Sequence, residues 1–228
     1  KAPSTARTMA STIPRGVRWV KARVKGFDPL GQLVILDDAR AISYEQLIVC
    51  PGLKLDWVAI DGLSETLGRN GVTSNYRYDL APYTWELVQK LKQGRALFSQ
   101  PPMPIKCAGA PQKALYLSCD HWLRHGHLGA VKASFYNAGA VLFGVADYVP
   151  ALMKYIEKYA VDLNFSHRLV AVDGPGKRAT FLRTLPDGSS ETRIEVFDML
   201  HVVPPQVAPD FIRESPLADS SGWVDVDP

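Results

Sequence analysis

Cysteine is scarce in these 228 residues: Cys50, Cys107 and Cys119 are all there is, with no CxxC pair. An odd, unpaired set excludes a secreted disulfide framework and a zinc ribbon and fits a reducing compartment. No apolar run approaches the roughly 18 residues of a membrane helix, so no transmembrane anchor is expected. Acids are missing from residues 1–26, which carry seven Lys or Arg, whereas residues 209–228 carry Asp210, Glu214, Asp219, Asp225 and Asp227 against Arg213 alone. A formal charge of +3 without a basic cluster excludes a nucleic-acid groove. Also absent are a GxGxxG turn, a P-loop, a GxSxG elbow, an HExxH pair and paired carboxylates. Phosphoryl transfer and hydrolysis therefore lack their residues. The chain opens on Lys1 with no signal peptide and stops on GWVDVDP, the start of a strand or turn, and reads as an internal piece of a longer protein.

What is present is an ordinary globular composition, 46% hydrophobic and 21% charged. Three β-like runs come first: 16–27 with Val17, Trp19 and Val24, then 33–38, then 42–50, joined by turn signals at Asp28-Pro29 and Asp38-Ala39. The third loses its alternation at Leu47-Ile48-Val49 and ends on Pro51-Gly52, the pattern of a strand buried on both faces that delivers a loop. Residues 53–79, with Gly62, Gly68, Asn70 and Gly71, read as an excursion between domains. From 80 the rhythm becomes helix and strand in alternation. A helix is expected over 79–94, with Asp79 as N-cap, Pro82 in the first turn, Gly94 beyond the end, and Trp85, Val88 and Leu91 on one stripe. Strands follow at 95–100 and 131–137, helices at 111–125 and 146–159, and β-runs at 163–173, 178–185 and 192–203, with a hairpin turn at Pro186-Asp187-Gly188. This order predicts an α/β, Rossmann-like unit.

The segment after the strand at 95–100, PPMPIKCAGAPQKALYL, stands where such a unit holds its ligand. Pro101, Pro102 and Pro104 replace the glycine-rich turn, and Cys107 precedes Ala108-Gly109-Ala110-Pro111, with Pro111 suited to the first helical position. A thiol near a helix N-terminus between Lys106 and Lys113 has two reasons for a lowered pKa and for thiolate reactivity. The other reading is a small buried hydrophobe. Cys119, with Leu115 four before and Trp122 three after, reads as core. Cys50 reads as the structural end of a buried strand. His121 and His125 lack a third ligand and read as a solvated helix end, so no metal site is expected. His201 reads as a hydrogen-bonded core residue.

The strings PIKCAGAPQK (104–113), SNYRYD (74–79), FGVADYVPAL (143–152), MLHVVPP (199–205) and SPLADSSGWVDVD (215–227), in this order, closely resemble the sulfide:quinone oxidoreductases. The resemblance implies a two-dinucleotide-binding-domain flavoprotein: residues 1–79 as part of a split FAD domain plus crossover, 80–203 as an NAD(P)-binding-like domain, and 204–228 as the return toward the FAD domain. It implies that Val24, Pro51 and Gly52 contact FAD, and that Cys107 is one of two redox cysteines. In that scheme sulfide attacks a cysteine disulfide or trisulfide, one cysteine keeps the persulfide, the other passes two electrons to FAD, and a membrane quinone receives them. Cys50 replaces the small apolar residue usual beside Pro51. The implied partners are sulfide and a quinone, with homo-oligomerisation left open. The implied location is peripheral, on the cytoplasmic side of a bacterial membrane or the mitochondrial inner membrane. Without a GxGxxG segment or second redox cysteine, these residues alone are expected to hold FAD weakly or not at all and to be inactive. An NAD(P)H-dependent flavoprotein of the same superfamily, or a free-standing α/β binding module, are the alternatives.

Overall fold

The computed structural model describes residues 6–226, so that Lys1 and Asp227 lie outside the described residues. The chain divides into two compact units. One takes in the residues up to Gly52 together with those from Ala208 onward, and the other is Leu53–Val207.

In the first unit, β1 (Val24–Asp28), β2 (Leu33–Leu36) and β3 (Ala41–Ser43) form an antiparallel meander. The turn signals behave as expected: the Asp28 carboxylate accepts from the Gly31 amide at 2.9 Å, closing the first hairpin. The core is thin, with Phe27, Ala208 and Ile212 buried and Val24, Val34, Val49 and Trp223 packed around them. The flanking expectations need correction. Residues 16–23 are outside the strand, and Val17 and Trp19 are exposed. Residues 44–50 form no strand, and Ile48 and Cys50 are exposed. A short apolar run becomes a buried strand only where neighbours take its amides and carbonyls, and no described strand pairs with 44–50.

The second unit is built on a five-stranded parallel sheet in the order β5, β12, β6, β7, β8. These strands are β5 (Val72–Thr73), β6 (Gly94–Gln100), β7 (Val131–Asn137), β8 (Asp162–Phe165) and β12 (Met199–His201). Side chains alternate across it, as the period of two requires. Ala96, Phe98, Phe135 and Met199 point to a core shared with the helices α1 (Ala81–Lys90), α2 (Gly109–Arg124) and α3 (Val149–Lys158). Leu97, Tyr136 and Leu200 point the other way, against the antiparallel meander β9 (His167–Asp173), β10 (Arg178–Thr184) and β11 (Ser190–Val196). The expected hairpin turn at 186–188 joins β10 to β11, with Gly188 at φ 83°. On the helical face Trp122 is fully buried and its indole N–H donates to the Val88 carbonyl at 2.9 Å.

Several boundaries move. Residues 53–79 are not an excursion: Leu63 and Val72 are fully buried, and β5 is the sheet's edge strand, so the border falls at Gly52/Leu53 rather than at 79. Its glycines mark tight turns between short buried pieces. At the far end, β13 (Gln206–Val207) pairs with β4 (Lys54–Leu55), which carries the unit past 203 to Val207. Asp79 lies in a 3-10 turn paired with Arg77 and does not cap α1, and Gly94 opens β6 rather than closing the helix. Of the stripe on α1, Val88 is buried while Trp85 stays half exposed against the His121 ring. The run 163–173 breaks at Ser166, φ 60°, into β8 and β9, because the chain there leaves the parallel sheet for the meander. The run 192–203 breaks between β11 and β12 for the converse reason.

Candidate functional site

β6 ends at Gln100 and hands the chain to the proline loop, whose Pro101 is buried and whose Pro102, Met103 and Pro104 are exposed. Helix α2 starts at Gly109, so Pro111 is its third residue rather than its first. Cys107 sits two residues ahead of that helix and is exposed, which removes the buried-hydrophobe reading. Its backbone is left-handed, φ 61°, a conformation that L-residues with a side chain seldom adopt. No acid occupies the first turn of α2, so the helix end keeps its partial positive charge, which favours an anion such as a thiolate nearby.

Distant residues surround the loop. The Tyr76 hydroxyl donates to the carbonyls of Lys106 at 2.7 Å and Cys107 at 3.1 Å. The Gln206 side-chain oxygen accepts from the Lys106 amide. The Ala110 amide donates to the Cys107 carbonyl at 2.8 Å. Burial, and then the electrostatic influence of the neighbouring Cys107, push the Tyr76 phenol up to about 12, so it keeps its proton and remains a donor. A depression of about 350 Å³ opens here, lined by Leu53, Leu55, Asn75, Tyr76, Lys106 and Cys107. Behind it, the buried His201 ring accepts the Asn75 amide at its Nε2, 3.0 Å away, as a core histidine should. Burial drives His201 down to about 4, so it is neutral. Asn75 and Tyr76 stood in the SNYRYD string, but the contacts of these two and of Gln206 with the loop and His201 carry no local signal, since the partners lie 30 to 126 residues away.

The other sulfurs and rings divide cleanly. Cys119 is fully buried, and burial pushes its thiol up to about 12, as a core residue on the packed face of α2. His121 and His125 lie on α2 with ring centroids 4.0 Å apart, and His125 Nδ1 is engaged by the His121 carbonyl. Among the described residues no group of three or more His, Cys, Asp or Glu could hold a metal.

In the first unit, Pro51 and Gly52 share a depression of about 270 Å³ with Cys50, Pro209, Ile212 and Trp223. Gly52 has φ 79°, and a Cβ there would meet nothing within 4 Å, so its glycine serves the turn and leaves an open face. Val24 packs instead on the small core, in a strand that bulges between Val24 and Gly26. An open glycine turn beside a tryptophan suits one edge of a flat ring such as a flavin. The sequence supplies no glycine-rich phosphate cradle, so these residues fit part of a dinucleotide and not its pyrophosphate.

No family model matches the chain. Its fold is that of the α/β, dinucleotide-binding type seen in the solved structures it resembles. The sulfide:quinone oxidoreductase of Aquifex aeolicus superposes with a TM-score of 0.66 at 16% identity, over 85% of this chain and 44% of that one. The thioredoxin reductase of T. acidophilum gives 0.52 at 14% identity, over 90% and 60%. A chain in the Tetrahymena thermophila mitochondrial ATP synthase structure gives 0.76 at 22% identity, over 96% and 54%. Sequence narrows the class: over nearly its whole length this chain is similar to sulfide:quinone oxidoreductases. It is 42% identical to the mitochondrial sulfide:quinone oxidoreductase of Dictyostelium discoideum over 94% of the chain, and 39% identical to that of Mus musculus over 97%. The chain spans about half the length of these curated relatives, 47% and 49%.

Proposed function

We propose that the whole protein is an FAD-dependent sulfide:quinone oxidoreductase and that Cys107 is one of its two redox cysteines. The observation that carries the reading is an exposed thiol, held in a left-handed turn just ahead of α2, in a chain homologous to that family. In this reading hydrosulfide attacks a disulfide between Cys107 and a second cysteine. One S–S bond breaks and one forms: one cysteine keeps the added sulfur as a persulfide, and the other leaves as a thiolate. A nucleophilic acceptor would then remove the outer persulfide sulfur, leaving the first cysteine as a thiolate, and the two thiolates would re-form their S–S bond with release of two electrons. Bound FAD would supply the two-electron relay from the cysteines to a membrane quinone, which would become the quinol by adding two protons. Cys107 would supply one sulfur of that disulfide, in the field of the α2 N-terminus, while Pro51 and Gly52 would hold the edge of the flavin and the backbone at Val24 would lie toward the adenine end of FAD. The substrates are sulfide and a quinone.

The relatives named as mitochondrial support a place at the mitochondrial inner membrane. No helix among the described residues is long and apolar enough to cross a bilayer. The alternative NAD(P)H-dependent reading is disfavoured by the Pro101-Pro102 loop where a glycine-rich turn would stand. Asn137, at the end of β7, also spends its side chain locally, donating to the Val141 carbonyl at 2.8 Å and accepting from the Gly139 amide at 2.9 Å.

The test is Cys107→Ser in the full-length protein. Flavin content should be unchanged, and sulfide-dependent quinone reduction should fall by at least about three orders of magnitude. Retained turnover with full flavin occupancy would sink the assignment.

A further inference from the structure

The turn that carries Cys107 is fastened at successive backbone atoms by side chains remote in sequence. One phenol, Tyr76, holds the carbonyls of both Lys106 and Cys107, at 2.7 and 3.1 Å, and one amide side chain, the buried Gln206, holds the Lys106 N–H. The local tie on Cys107 among the described residues is the Ala110 amide on its carbonyl. That tie alone does not select a left-handed residue, which costs a side-chain-bearing L-residue roughly 1–2 kcal/mol. The φ of residue 107 decides on which side of the loop its Cβ and sulfur project. Returning it from 61° to the ordinary negative range would carry the thiol away from the depression it lines.

The geometry points to Tyr76 and Gln206 as positioning residues for the Cys107 thiol: they hold residue 107 in its left-handed turn and so set where the sulfur meets its reaction partner. Neither touches a reacting atom in this scheme. The inference rests on Cys107 being the reacting thiol. Tyr76 is suited to the part because its phenol stays protonated through the alkaline range, and because its own segment is anchored by the Asn75 amide on buried His201. Misplacing a reacting atom by about 1 Å is enough to cost up to about a hundredfold in rate.

Tyr76→Phe keeps the ring and removes only the hydroxyl, and Gln206→Met keeps the volume and removes the acceptor. In the full-length protein both should lower kcat for sulfide-dependent quinone reduction about tenfold or more, with flavin content and the KM for sulfide within about twofold. In the same variants, iodoacetamide labelling of Cys107, read by peptide mass spectrometry against exposed Cys50, should shift by at least about threefold. Unaltered turnover and labelling in Tyr76→Phe would overturn the assignment. Cys107→Ser run alongside separates the two ideas: full turnover there removes the functional reading, while the labelling ratio in the other variants still judges the clamp. Should Tyr76→Phe fail to fold, Gln206→Met and hydrogen exchange at the Lys106 amide of the unaltered protein decide. Slow exchange supports the clamp, and exchange at the rate of an open loop overturns it.

Discussion

His201 contributes to stability only while it is neutral. Its buried ring uses Nε2 as an acceptor, and burial holds its folded pKa near 4 against 6.5 for a free histidine. The contribution is therefore complete above pH 6.5 and is lost as the pH falls through that value toward 4, by on the order of 3 kcal/mol for a ring with no solvent access. Urea midpoints at pH 7.5 and about 4.5 should move further apart in the unaltered protein than in His201→Gln, which cannot take up the proton; equal movement would refute it. The three thiols differ in the same simple way. Cys50 and Cys107 are exposed and should alkylate in the native state, whereas Cys119 should label only after unfolding. Native labelling at Cys119 would contradict the packing of α2.

Gly62 joins Asp61, which bridges to Ala171 on β9, to the buried turn at Leu63. It has φ 69°, and a Cβ there would lie 2.4 Å from the Val172 carbonyl oxygen, a backbone atom that cannot step aside. Gly62→Ala should cost at least about 2 kcal/mol, measured as a lowered denaturation midpoint with unchanged slope. The long periodic elements were legible from residue pattern alone. β7 falls at the expected residues 131–137 because alternation over seven residues leaves no other register, and α3 carries Pro150 in its first turn as expected. β5, β12, β4 and β13 were not legible as separate strands, since pieces of two or three residues carry no period and owe their form to neighbours far along the chain. The site divides likewise. Cys107 stood out through its prolines and the helix beyond it, while Tyr76 and Gln206 act on it through contacts that no local window contains.

The two units should differ in protection. The first has three residues in its buried cluster, Phe27, Ala208 and Ile212, while the second packs both faces of its sheet, with Trp122 and Phe98 on one and Phe181 and Leu200 on the other. Amides of β1–β3 should exchange faster than those of β6 and β7, and uniform protection would count against separate units. Nucleotide binding follows the proline loop: calorimetry with NADH or NADPH should give no dissociation constant tighter than about 0.1 mM, and a micromolar value would overturn this. The strand order has one more effect. β12, at Met199–His201, lies between β5 and β6, which precede it by about a hundred residues or more. A nascent chain can therefore pair β6 with β7 early, yet it must keep a vacant slot beside β6 until residue 201 has left the ribosome. Only then can His201 reach the Asn75 amide and secure the segment bearing Tyr76. During synthesis β6 therefore presents an unpaired apolar edge until β12 is made, the kind of edge that invites mispairing.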